Sequence, residues 1–223
     1  MSQLAVQNPN LPVSLHARTE SIAYLMSDQV NNLTRSFQEW YDSPLITPTT
    51  RRIRGRYWLT FLLLRFSGAR LGEVLAVNDL TDVDFRAAEV KLITLKQRLP
   101  SNSRGRGRQR STPVRLVPVP STVMAELGNY LAQHPDQRGK VFKLDQGNFR
   151  KVFYERAAEA GIPRGLDHPH VLRHTRAIEM TRLSVPLTGV QSILGHSSLN
   201  TTAHYTRMSN HETKEVLRRV GLI

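Results

Sequence analysis

One short stretch near the C-terminal end places an imidazole beside a guanidinium. The sequence DHPHVLRH occupies residues 167–174, and Pro169 suits the first turn of a helix. His170 and Arg173 then lie three residues apart on one helical face. An imidazole exchanges protons near neutral pH and a guanidinium holds phosphate oxygens, so the pair suits chemistry on a phosphate.

A second stretch, residues 194–207, contains a histidine and a tyrosine that could act with this pair. A glycine suited to a helix end comes directly before His196, so His196 is expected in a turn and Tyr205 in the next helix. Two upstream cations complete the set: Arg70, after Ser-Gly-Ala, and Lys96, at the end of a predicted strand. Such a set suffices for phosphoryl transfer without metal: arginines stabilise the oxygens, tyrosine attacks, and lysine or histidine protonates the leaving oxygen.

The histidines of the first stretch also have a spacing that occurs in metal sites. His170 and His174 are four residues apart, and His168 is close by. No acidic residue stands between them, and Arg173 would bring a cation beside the ion, so we expect no metal. Cysteine is absent from the chain, which excludes thiolate ligands, disulfides and a cysteine nucleophile.

The composition indicates a folded protein with a polyanionic partner. The 223 residues include 31 Lys and Arg against 18 Asp and Glu, a formal net charge of +13, and most of the cations are arginine. Residues 51–120 alone hold 15 cations and five acids, which indicates a binding face. No apolar segment approaches the length of a membrane span and the N-terminus lacks a signal-peptide pattern, so we expect a cytoplasmic protein.

The elements that must position these side chains are mainly helices. Apolar spacing predicts helices over residues 27–40, 51–66, 70–77, 121–131, 148–160, 170–183, 187–194, 199–208 and 210–220. Ser121 is expected to cap the fourth of these, and residues 43–50 are expected to form a loop.

A small sheet is predicted in the middle of the chain. Residues 83–95 alternate in hydropathy on both sides of a turn, and residues 114–119 follow an Arg/Gly-rich insert as a third strand. The predicted fold class is α+β, mainly α-helical with a small three-stranded antiparallel sheet. Residues 1–20 are predicted to form a flexible tail and residues 21–223 one domain.

The set Arg70, Lys96, His170, Arg173, His196 and Tyr205, in this order, resembles that of the tyrosine recombinase (phage integrase) family. The strings GARLGEV, HVLRHT and LGHSSLNTTAHY carry the resemblance, which extends from about residue 24 to the C-terminus. Only about 20 residues precede the matching region, where most integrases have a further DNA-clamping domain. The chain therefore resembles the short members that invert fimbrial promoters, or it is a fragment.

The resemblance implies a role for each of these residues. Arg70 and Arg173 would clamp the scissile phosphate, and His196 would donate a further hydrogen bond to it. Tyr205 would attack to form a 3′-phosphotyrosyl link, with His170 as its base and Lys96 protonating the departing 5′-oxygen. No metal or cofactor is required. Glu73 and His174, which sit beside the motif residues, are expected to support geometry.

The implied partner is double-stranded DNA, bound by a homo-oligomer, a tetramer in this family. In this family a C-terminal helix often docks on a neighbouring subunit; the alternative, that this helix packs on its own core, stays open. The predicted DNA-binding residues are Arg51, Arg52, Arg54, Arg56, Arg98, Arg104, Arg106, Arg108 and Arg110. The protein would then be associated with the nucleoid. Two alternatives stay open: a DNA-binding regulator or architectural protein that kept the fold without strand exchange, and a relaxing topoisomerase.

Overall fold

In the computed structural model, residues 23–94 and 113–195 are described, together with the single positions 218 and 221. The helices are α1 Ser27–Asp42, α2 Pro48–Ser67, α3 Leu71–Leu75, α4 Ser121–Gln133, α5 Gln146–Glu159, α6 His170–Arg182 and α7 Leu187–Leu194. The strands are β1 Val83–Asp84, β2 Glu89–Ile93 and β3 Val114–Pro118, and a 3-10 turn spans Pro135–Gln137. The predicted fold class, mainly helical with a three-stranded sheet, is confirmed.

The three strands form one antiparallel sheet in the order β1-β2-β3. Val90 pairs with Val117 and Leu92 with Arg115, and the three apolar side chains of these pairs are fully buried. Successive side chains of a strand point to opposite faces, so Arg115 shares the core-facing side of β3 with Val117. The apolar Val114 and Leu116 face solvent instead, 54% and 61% exposed.

Helix α2 is the centre of the core, and it contacts α1, α3, α4 and α6. Residues 58–64 are buried without a break, because this half of the helix is surrounded by other elements. Phe37 of α1 stacks on Phe61 of α2 with ring centroids 4.2 Å apart and meets Phe153 of α5 at 5.8 Å. The short apolar run of the sequence is therefore packed core.

A second, smaller apolar cluster holds α6 and α7 together. Ala177 and Met180 of α6 pack with Val190 and Leu194 of α7, and all four are buried. The pairing positions the end of α7, where Gly195 adopts the left-handed conformation with a φ of 68°. The predicted helix end before residue 196 is confirmed.

Two predicted boundaries were wrong, because capping residues lie elsewhere. The loop predicted over residues 43–50 ends earlier: the Thr47 hydroxyl accepts the amide N–H of Thr50 at 3.1 Å, so α2 begins at Pro48. Ser121 does not cap α4 but is its first helical residue, after Pro120. No helix of the described residues is long and apolar enough to span a membrane.

Candidate active site

Arg70 lies at the start of α3 and is held by a carboxylate of the same helix. Its Nη1 is 2.9 Å from Oε1 of Glu73, and its backbone amide donates to Oε2 at 3.0 Å. The Glu73 side chain is fully buried, whereas 30% of the Arg70 side chain is exposed. The Arg70 guanidinium is therefore held by the buried Glu73 carboxylate and remains partly open to solvent.

Arg173 lies one turn into α6 and is almost completely buried, with 2% of its surface exposed. Its Nη1 donates to the backbone carbonyl of Gly68 at 2.8 Å. Gly68 ends α2 in the left-handed conformation, with a φ of 62°, and the chain reaches Arg70 two residues later. The same turn therefore orients both arginines.

His170 begins α6, one turn before Arg173, with its ring edge-on to that of His174 at a centroid distance of 4.6 Å. Part of its surface is open to the cleft. The surrounding residues still remove enough water from the ring to lower the pKa of His170 to about 4, and His174 and Arg173 act in the same direction. The imidazole is therefore neutral at pH 7.

Glu73 also joins the site to the sheet, through Arg115. Arg115 Nη2 lies 2.6 Å from Glu73 Oε2, and the arginine side chain is only 8% exposed. Burial alone would raise the pKa of Glu73, but the hydrogen bonds and charges of Arg115 and Arg70 outweigh it, so the pKa lies below its ordinary value. Glu73 stays ionised and holds both arginines. The predicted supporting role of Glu73 gains a geometric basis.

Arg70 and His170 open onto a cleft of about 720 Å³ between α3, α5 and the start of α6. Three exposed residues of α5 line its other wall: Gln146, Arg150 and Tyr154. None of the three is among the residues predicted from the sequence. Their spacing of four residues, which puts polar side chains on one face of a helix, was the available signal.

The four predicted DNA-binding arginines of α2 contact their own chain. Three of them donate to backbone carbonyls: Arg51 to that of Ser43, Arg54 to that of Trp40, and Arg56 to those of Lys140, Val141 and Lys143. Arg52 pairs with the Asp136 carboxylate at 2.8 Å. All four are half-buried. Their internal contacts fix the loops around α2, and their contact with DNA stays a prediction.

The other predicted residues lie outside the described part of the chain: Lys96, Arg98, Arg104, Arg106, Arg108, Arg110, His196 and Tyr205. The segments that lead to two of them are described. Thr94 stands two residues before Lys96, and Gly195 stands directly before His196. Within the described ranges, no group of three or more His, Asp or Glu side chains is arranged to hold a metal ion.

The sequence is similar to one family over most of its length. A sequence model described as the phage integrase family matches residues 24–212. Tyrosine recombinase XerC of Roseiflexus castenholzii is 31% identical over 195 residues, which cover 80% of this chain and 55% of that protein. Tyrosine recombinase XerA of Pyrococcus furiosus is 29% identical over 181 residues, with 77% and 56% covered. The chain spans about half the length of the curated relatives it matches.

Solved structures share the fold. The crystal structure of XerA recombinase superposes with a TM-score of 0.65 at 22% identity, covering 96% of this chain and 66% of that chain. XerH site-specific recombinase bound to difH substrate in a pre-cleavage complex gives 0.66 at 19% identity, covering 88% and 54%. These relatives are Xer-type recombinases, and the resemblance to inverters of fimbrial promoters stays a prediction.

Proposed function

The chain belongs to the phage integrase family, and we propose that it is a tyrosine-type site-specific recombinase, which breaks and rejoins double-stranded DNA through a covalent 3′-phosphotyrosyl link. The observation that carries the proposal is the turn at Gly68, which orients Arg70 and Arg173 together beside a neutral His170. Arg70 and His170 at the open cleft, with Arg173 buried one helical turn after His170, suit a phosphodiester substrate.

The proposed cleavage step uses each group once. Arg70 and Arg173 hold the non-bridging oxygens of the scissile phosphate, where negative charge accumulates in the transition state, and His196 donates a further hydrogen bond. The Tyr205 oxygen attacks phosphorus while His170 takes its proton. The bond to the 5′-oxygen breaks, and Lys96 gives that oxygen a proton. A 5′-hydroxyl of another strand reverses the step, so energy is conserved in the phosphotyrosyl bond.

The walls of the cleft would contact DNA around the reacting phosphate. Arg150, exposed on α5, faces the same cleft as Arg70, and its guanidinium suits a neighbouring phosphate. Lys96 and the arginines of the insert after β2 would add further phosphate contacts. A protein working in this way would be found with the nucleoid in the cytoplasm.

The assembly and domain arrangement are part of the proposal. The family match over residues 24–212 supports a catalytic domain over residues 21–223, with residues 1–20 as a tail. Strand exchange joins ends from more than one cleaved site, so we propose a tetramer on DNA in which the C-terminal helix contacts a neighbouring subunit.

Trapping of the covalent intermediate tests the proposal. The substrate is a pool of end-labelled, nicked duplexes of randomised sequence. After cleavage the short fragment beside the nick dissociates, so religation is prevented and the covalent adduct accumulates. The adduct is then detected on a denaturing gel. Wild type should form a labelled protein–DNA adduct and Tyr205→Phe none, because phenylalanine lacks the nucleophilic oxygen. Tyr41→Phe is the matched control, since Tyr41 lies at the end of α1, outside the cleft.

The adduct must map to Tyr205 by peptide sequencing. Binding to DNA without any Tyr205-dependent adduct would overturn the enzyme assignment in favour of a DNA-binding regulator or architectural protein. Sequencing of the trapped strands would identify the target site.

A further inference from the structure

We propose that Arg115 is a positioning residue that fastens together the three segments bearing Arg70, Lys96 and His196. The inference rests on the proposed function, because these three residues act together only in that reaction. None of the sequence motifs includes Arg115, which lies on strand β3 beyond the insert.

Arg115 occupies a position that the sheet would normally give to an apolar side chain. It lies opposite the buried Leu92 and two residues before the buried Val117, on the core-facing side of β3. The neighbouring Val114 and Leu116 are exposed, so the usual alternation of the strand is inverted. A buried guanidinium is unfavourable unless its donors are satisfied, and an inversion of this kind indicates a role other than packing.

Each nitrogen of the guanidinium bonds to a different segment. Nη2 contacts Glu73 of α3 at 2.6 Å, Nη1 donates to the Thr94 hydroxyl after β2 at 3.1 Å, and Nε donates to the Ile193 carbonyl of α7 at 2.9 Å. The planar fork of an arginine makes these three directions available at once.

All three segments lead directly to proposed active-site residues. Glu73 holds Arg70 with its other oxygen, Thr94 stands two residues before Lys96, and Ile193 stands three before His196. The contact at α7 is close: a Cβ added at Gly195 would lie 2.8 Å from Arg115 Nη1. The glycine at position 195 therefore allows the close approach of Arg115, in addition to the left-handed conformation that ends α7.

The position of α7 is determined partly by the small apolar cluster that it forms with α6. That cluster is distinct from the main core, and Ile193 of α7 packs against both. Arg115 provides a polar link from β3 to the last turn of α7. Its loss would let the end of α7, and the residue that follows, move relative to Arg70.

The test compares Arg115→Lys and Arg115→Gln with a matched control, Arg65→Lys. Arg65 of α2 is also mostly buried and pairs with Glu179 at 2.6 Å, but it contacts none of the three segments. The Arg115 variants should bind DNA with unchanged affinity and cleave a nicked duplex about a hundredfold more slowly, because small misplacements of catalytic groups have effects of this size. Arg65→Lys should cleave at the wild-type rate.

Hydrogen exchange provides a readout that does not depend on activity. In DNA-free protein, the Gly195 amide donates to the Gln191 carbonyl at 2.8 Å, and it should exchange faster in both Arg115 variants than in wild type or Arg65→Lys. A wild-type exchange rate in the variants, or wild-type cleavage by them, would overturn the inference. A wild type that binds DNA but forms no adduct would instead overturn the proposed function, and exchange would still decide whether Arg115 fastens α7.

Discussion

His170 combines a position at the cleft with a pKa lowered to about 4, mainly through burial. In the unfolded chain a histidine titrates near 6.5, so between these values the unfolded state binds more protons than the folded one. Stability should therefore fall as the pH drops from about 6.5 toward 4, and His174, whose pKa is also lowered, adds to the same trend. At pH 7 the ring is neutral, which is the form that the proposed role as base for Tyr205 requires.

Urea unfolding checks this expectation. The free energy of unfolding should decrease more between pH 7 and pH 5 in wild type than in His170→Gln, which cannot titrate in this range. The two proteins should show the same pH dependence between pH 7 and pH 8. An equal decrease in both proteins below pH 6.5 would contradict the assignment of the lowered pKa to His170.

The relation between His170 and Arg173 could be predicted from local spacing, whereas Arg70 was joined to them through the family resemblance. His170 and Arg173 lie on one helix, so their relation follows from helical periodicity. The Gly68 carbonyl is 105 residues away from Arg173, and no local pattern connects the two. Arg115 was missed for the same reason: its partners belong to α3, to the residue after β2 and to α7, which only the fold brings together.

At the scale of elements, the turn between α2 and α3 is the feature on which both arginines depend. Gly68→Ala would place a residue with a Cβ at a φ of 62°, and that Cβ would lie 2.7 Å from Leu194 Cδ2. The left-handed conformation costs a non-glycine residue about 1–2 kcal/mol, and the overpacking against α7 about 1–3 kcal/mol more. Cleavage should also slow, because displacement of the turn moves the carbonyl that holds Arg173.

A second glycine separates the two causes. Gly161 has a φ of 69°, but a Cβ added there would meet nothing within 4 Å. Gly161→Ala should therefore lose only the conformational part of the stability, measured as the free energy of unfolding in urea, and should cleave DNA normally. Equal losses of stability in the two variants would show that the close approach of the added Cβ at position 68 to Leu194 costs no stability.

The elements themselves were predicted well where periodicity is strong and less well at their ends. The helices of the described residues and the order of the three strands follow the apolar pattern. The starts of α2 and α5 lie two or three residues earlier than predicted, because the side chains of Thr47 and Asp145 accept the amides that open each helix. Polar capping residues lie outside the apolar pattern, which therefore cannot locate them.

At the scale of the whole molecule, the net charge of +13 is distributed differently from its appearance along the sequence. The arginines at the start of α2 were predicted to bind DNA, yet each contacts a carbonyl or carboxylate of the chain. Six exposed cations instead belong to α5 or to the loops next to it in the chain: Arg138, Lys140, Lys143, Arg150, Lys151 and Arg164. A count of charges along the sequence does not reveal which arginine side chains are already hydrogen-bonded within the fold.

This difference predicts unequal salt dependence of DNA binding for two arginine variants. Each phosphate contact releases counterions and contributes about 0.9 to the slope of log affinity against log salt. Arg150→Ala should reduce the slope by about 1, because this side chain is exposed at the cleft with Arg70. Arg52→Ala should reduce it less, since Asp136 lies 2.8 Å from Arg52 Nη1 and balances its charge.

Fluorescence anisotropy with a labelled duplex, at several salt concentrations, measures both slopes. Binding of wild type should weaken steeply with salt, and a flat response would exclude phosphate contacts as the basis of affinity. A larger change of slope for Arg52→Ala than for Arg150→Ala would indicate that DNA binds along the start of α2. The opposite order would mean that DNA lies along α5, the wall of the cleft that faces Arg70, so that affinity and cleavage share one surface.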